Sequence, residues 1–114
     1  MSTRSCIGYY DGRFHGMYCH YDGDPGHVGM ILVEHHNSFE AMQNIITGSQ
    51  IRNFDSDGVI CRFGDGDGAV EVYDSIEEAL ESGFDYVYQF DGEWKCFTKD
   101  RSLPQLVKEV NIPE

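Results

Sequence analysis

Within twelve positions, Tyr18-Cys19-His20-Tyr21-Asp22-Gly23-Asp24-Pro25-Gly26-His27-Val28-Gly29 gathers two imidazoles, two carboxylates, a thiol and three glycines. Imidazoles donate, accept and titrate near neutral pH. A strand ending at His20, a tight turn and a helix opening near Pro25 would set free backbone N–H groups beside these side chains. Arg4, flanked by Thr3 and Ser5, adds a planar fork suited to phosphate or carboxylate; its competing role is a surface ion pair with one of many acids. A hairpin turning at Asp11–Arg13 sets Tyr10 opposite Phe14 and therefore Arg4 opposite His20. Arg4, His20, Tyr21, Asp22, Gly23 and His27 are thus expected to line one pocket with a cationic fork, imidazole donors, an aromatic face and a helix start. Such a pocket suits a small phosphorylated nucleotide.

Other chemistries are less well served. His20, His27, His35, His36 and Cys19 include soft zinc ligands, but Cys19 and His20 are adjacent and fall on opposite faces of a strand. The same adjacency prevents a direct Cys19–His20 thiolate–imidazole pair. The run Gly64-Asp65-Gly66-Asp67-Gly68 lacks EF-hand spacing, because Ala69 stands where the fifth loop position needs a ligand; it reads as an acidic turn. Asp22 and Asp24 suit acid–base work in type but also suit a turn and a helix cap. No catalytic residue, metal ligand or cofactor is assigned, and the pattern supports binding better than catalysis.

The elements that would hold this site are mostly short. Residues 4–10 and 14–21 are aromatic and β-prone and form the opening hairpin. Pro25 near a first-turn position, then Val28, Ile31, Leu32 and His35 on one stripe, predict a helix. Ser38 caps a second, with Phe39, Met42, Ile45 and Ile46 on one side and Gly48 ending it, which completes a helical hairpin. Val59–Phe63, Ala69–Tyr73, Asp85–Phe90 and Glu93–Thr98 have strand composition, and Asp91-Gly92 has the two-residue form of a type I′ turn. Ser75 and Glu78 form a capping box for a short helix to about Ser82. Leu103–Val110 reads as a final helix capped by Ser102 and Gln105. The expected fold is α+β: an antiparallel sheet of about six strands, a helical hairpin and one or two further short helices, in a single domain over residues 1–114.

Charge narrows the partners. The chain has 114 residues with 20 acidic against 8 basic, a formal charge of −12. Residues 55–92 hold 11 Asp and Glu against the single base Arg62. Such a surface does not grip phosphodiester backbones or anionic membranes by charge alone, so direct nucleic-acid or membrane binding is not expected. Cys6, Cys19, Cys61 and Cys96 show no paired spacing and no apolar leader precedes them, which reads as a reduced cytosolic protein. Strand-rich edges and many tyrosines make a homo-oligomer reasonable.

Met1-Ser2-Thr3-Arg4-Ser5-Cys6-Ile7-Gly8, the Tyr18–Gly29 segment and Tyr86-Val87-Tyr88…Trp94-Lys95 together resemble a family of small uncharacterised proteins encoded by bacteriophages and mobile elements. That family opens T-R-S-x-I and carries Y-C-H-W-D-G-Y-P-x-H-V-G followed by L-x-x-H. This chain departs from it at Tyr21, where the family has Trp, and at Asp24, where it has an aromatic residue. The resemblance implies an anti-defence protein working in the host cytoplasm during infection. Two modes are open: sequestering a nucleotide signal as a sponge, or meeting a basic surface of a host defence protein with the acidic middle third, as DNA mimics and some anti-CRISPR proteins do. An enzyme degrading the nucleotide with a histidine acid–base pair is a third.

Overall fold

The computed structural model describes residues 3–64, 69–99 and 107–113. In chain order the elements are β1 (Ser5–Tyr10), β2 (Phe14–Cys19), a π-helical turn (Pro25–Gly29) running into α1 (Met30–His35), α2 (Phe39–Ile46), β3 (Ile51–Phe54), β4 (Ile60–Arg62), β5 (Glu71–Tyr73), α3 (Ile76–Glu81), β6 (Tyr86–Phe90), β7 (Trp94–Lys99) and β8 (Val107–Val110). The fold is α+β, but the sheet is mixed and has eight strands among the described residues. Its order is β4-β3-β2-β1-β6-β7-β8, with β5 also on β2.

The opening hairpin forms in the expected register, with Tyr10 opposite Phe14 and Ser5 opposite Cys19. Gly12, at φ 73°, takes the left-handed corner of its loop, and Asp11 N–H closes it on Arg13 O at 2.9 Å. The β6–β7 hairpin repeats this device. Phe90 pairs with Trp94, so its loop is the three residues Asp91–Glu93 and not a two-residue turn; Asp91 N–H reaches Glu93 O at 3.2 Å. An all-antiparallel sheet is overturned by two joins: β1 runs parallel to β6, and β2 parallel to β3 at Cys19–Ile51. Both partners arrive after intervening helices, the connection that parallel strands require. The outer edge of β2 is divided, β3 taking its end at Cys19 and β5 its start at Phe14–Gly16.

Strand alternation sorts side chains onto two faces. Ile7, Met17, Cys19, Tyr88, Phe90, Trp94 and Cys96 turn toward the layer of the π-helical turn, α1 and α2 and pack with Val28, Leu32, Met42 and Ile45. Cys6, Phe14 and Val87 turn the other way and pack with Ala79 and Leu80 of α3. Burial of the first set is the main source of stability. The second cover is a single six-residue helix, too short to roof its whole face.

The predicted caps at Ser38 and Ser75 are present: Ser38 Oγ accepts from Ala41 N–H at 3.0 Å and Ser75 Oγ from Glu78 N–H at 3.1 Å. The helix at Pro25 also forms, with its first turn wide enough for Met30 N–H to bond back to Pro25 O. Asp24 serves it through its carbonyl, which accepts from His27 N–H at 3.1 Å, while its side chain caps nothing. Two stripe assignments fail. Phe39 is 60% exposed, touching the core only edge-on at Phe90, and His35 lies exposed over Gly58. Gly58 must be glycine twice over: its φ is +91°, and a Cβ would come within 2.6 Å of the His35 ring.

At the C-terminal end, Val107–Val110 is a strand on β7, with Cys96 opposite Val110, and not a helix. An open strand edge outweighs local propensity there. Ser102, Leu103 and Gln105 lie outside the described residues, as do Asp65–Gly68. Among the described residues no helix is long and apolar enough to cross a membrane.

Candidate functional site

Arg4 and His20 sit one residue beyond the Ser5–Cys19 pair, so they share the face of Cys6 and Phe14, as does Tyr18. This is the thinly covered face. Where α3 stops short, a groove of about 390 Å³ opens between Arg4, Tyr18, Gln50, Glu71, Tyr73 and Phe84, with the Ser82-Gly83 turn at its rim. That volume falls in the range of small-molecule sites.

The groove wall is aromatic. Tyr73 and Phe84 meet edge-to-face at 6.1 Å, while Phe84 and Tyr18 at 5.8 Å and Tyr18 and His20 at 5.7 Å are tilted against one another. The Tyr18 hydroxyl and His20 Nδ1 are hydrogen-bonded to each other, which ties the two rings together. Tyr73 O–H donates to Glu71 Oε2 at 2.7 Å; burial first, then this carboxylate, hold the phenol well above its ordinary range, so it stays a neutral donor.

Arg4 is exposed, and it is its backbone that is anchored. Its N–H donates to Asp85 Oδ2 at 3.0 Å, and its carbonyl accepts from Asp85 N–H at 2.9 Å. The ion pairs among the described residues are Arg13–Asp74, Lys95–Asp91 and His35–Glu34. The Arg4 guanidinium enters none of them, and Arg4 lines the groove.

The expected six-residue pocket is divided by the sheet. His20 and Tyr21 stay together, their rings meeting edge-on at 4.4 Å, while Arg4 lines the groove next to Tyr18. Asp22 and Gly23 shape the turn. Asp22 has a left-handed φ of 57°, and Gly23 spends its N–H on Thr3 O at 2.9 Å while its carbonyl accepts from Tyr88 O–H at 2.7 Å. A Cβ on Gly23 would lie 2.8 Å from Thr3 O, so the glycine permits strand contact rather than ligand approach. His27 is on the opposite layer, where Nε2–H donates to Phe54 O at 3.0 Å and ties the helix start to β3. The two histidines therefore cannot act as an acid–base pair on one ligand.

His36 is likewise structural, donating from Nε2–H to Gly58 O at 2.8 Å. Among the described residues no three His, Cys, Asp or Glu side chains gather closely enough to hold a metal ion. Burial pushes the Cys19 and Cys96 thiols up to about 12 and raises Cys6 as well, so these sulfurs are packing groups and not nucleophiles.

Tyr18, Gln50, Glu71, Tyr73 and Phe84 were not assigned from the sequence. Tyr18 was within reach, two residues before His20 on the same strand face. Tyr73 reaches the groove because β5 folds onto β2, setting Tyr73 opposite Phe14, and Phe84 because the β1–β6 join brings the segment before β6 to Arg4, Asp85 N–H bonding Arg4 O at 2.9 Å. A comparison with protein-family models, curated proteins and solved structures finds no match for this chain.

Proposed function

We propose that this protein binds a small phosphorylated nucleotide in the groove and holds it without turning it over. The observation that carries the reading is the joining of a wall of Tyr18, Tyr73 and Phe84 to Arg4, which enters no ion pair among the described residues, in a cleft of about 390 Å³. Rings of this kind stack on a base, Gln50 can pair with base edges through both amide groups, and Arg4 supplies the bidentate phosphate contact. The high-lying thiols and the separation of His20 from His27 leave the groove without an evident nucleophile or paired general acid and base. Combined with the resemblance to phage-encoded proteins, retention without turnover describes a sponge that lowers a host defence signal in the cytoplasm of the infected cell.

A second reading rests on a different observation. Glu77, Glu78 and Glu81 stand exposed along α3, with Glu71 and Asp85 nearby in the fold. A basic surface of a host defence protein would meet this face, in the manner of an acidic inhibitor.

Incubating the protein with a panel of mononucleotides and short oligonucleotides, then removing it and denaturing it, separates the readings. Depletion followed by release of intact nucleotide is the expected result. Altered nucleotide would make the protein an enzyme, and no depletion of any probe would leave the protein-contact reading in its place.

A further inference from the structure

The aromatic wall does not end at the groove. Past Tyr18 it continues through His20 to Tyr21 at 4.4 Å and to Phe63 at 5.8 Å. Tyr21 is 43% exposed and Phe63 45%, so two large rings face solvent beside the site without a core to fill. The two halves are built together: Phe63 N–H bonds Gln50 O at 2.9 Å, and Gln50 lines the groove. Each half also has its own arginine. Arg4 lines the groove, and Arg52, exposed, lends its carbonyl to Tyr21 N–H at 2.9 Å. Neither is in an ion pair among the described residues. Tyr18 and His20 alternate on one strand face, and residues so placed stand about 7 Å apart, a spacing that lets successive bases of an extended nucleotide each find a ring.

Resting on the nucleotide reading above, we infer that the ligand is a dinucleotide: one base in the Tyr18–Tyr73–Phe84 groove, the second on the His20–Tyr21–Phe63 platform, and the anionic linkage held between Arg4 and Arg52. Tyr21 and Phe63 each meet the His20 ring edge-on, at 73° and 68°, so each presents its own exposed ring face, which takes a base by stacking and not by base edges. With two platforms and two cations, binding gains nothing from a third nucleotide. The negative charge of the whole chain works in the same direction, because each further phosphate adds repulsion with no new cation to meet it.

The test is isothermal titration of AMP, GMP, pApA, pGpG and a ten-nucleotide single strand into the wild type, the Tyr21→Ala/Phe63→Ala double variant and Arg52→Gln. The wild type should bind a dinucleotide on the order of tenfold more tightly than its mononucleotide, the gain expected from one stacked base. The double variant should lose that gain and keep its mononucleotide affinity. Arg52→Gln, which leaves both rings in place, should lose part of it. Equal affinity for mono- and dinucleotide in the wild type would overturn the two-platform inference while leaving the groove reading intact. Tighter binding of the ten-nucleotide strand than of the dinucleotides would overturn it in favour of an extended single-strand site. Binding of none of the probes would sink both.

Discussion

Arg62, the single base among the 11 acids of residues 55–92, is expected to be a structural clamp. Its Nη1 donates to Ser49 O at 2.5 Å, and its Nη2 to Asn44 O at 2.8 Å and Ile45 O at 3.0 Å. It thus caps the last carbonyls of α2, which have no intrahelical donor, and joins that helix to β4. Hydrogen bonds to a charged group contribute about 1.5–3 kcal/mol each when buried. This guanidinium is only half-buried and water replaces part of each bond, so Arg62→Ala should cost about 2–3 kcal/mol in all. For a chain of this size that lowers the melting temperature by about 8–12 °C. Circular dichroism melts of the wild type, Arg62→Ala and Arg62→Lys provide the readout. The lysine variant should recover less than half of the loss, since one ammonium cannot span three carbonyls. A fall of under about 2 °C for Arg62→Ala would refute the clamp.

Arg4→Ala should weaken nucleotide binding by at least tenfold with an unchanged melt, because the anchoring bonds at that position are backbone bonds; Arg4→Lys should be nearly as damaging, and an unfolded variant would contradict this. His27→Ala should do the reverse, costing about 1–2 kcal/mol through its lost bond to Phe54 O and leaving binding intact, as melts and titrations of one sample will show. Stability should fall in alkali. Burial holds Cys19 and Cys96 at about 12 against an ordinary 9.0, so their contribution is whole below pH 9 and is lost toward pH 12, by about 1.4 kcal/mol per thiol per pH unit. Cys96→Val should flatten that slope in denaturant titrations, and an unchanged slope would refute the assignment.

What could be read from the sequence was local. The opening hairpin and its register follow from one turn and two aromatic strands, and the caps at Ser38 and Ser75 follow from single side chains bonding three residues ahead. β3 could not be read this way. A bulge between Ile51 and Asn53 breaks its period, so Ile51 and Phe54, three apart, both enter the core. β8 was hidden because edge pairing with β7, and not its own residues, decides its state. The site divides along the same line. Placing Arg4 and His20 at the outer end of the hairpin needed only its register, which runs to Ser5 opposite Cys19, and Tyr18 needed only strand alternation. Removing His27 from the pocket required knowing which side of the sheet the helical hairpin covers. Adding Tyr73 required the β5–β2 pairing and adding Phe84 the β1–β6 pairing, both contacts between residues far apart in the chain.

The most direct test of the central claim is where a nucleotide lands. In a ¹⁵N-labelled sample titrated with pApA, the account predicts amide shift changes at Arg4, Tyr18, Gln50, Tyr73, Gly83 and Phe84, with Gly26, His27 and Val28 unmoved. Shifts confined to the His27–Phe54 layer, or to the exposed glutamates of α3 with the groove silent, would contradict it.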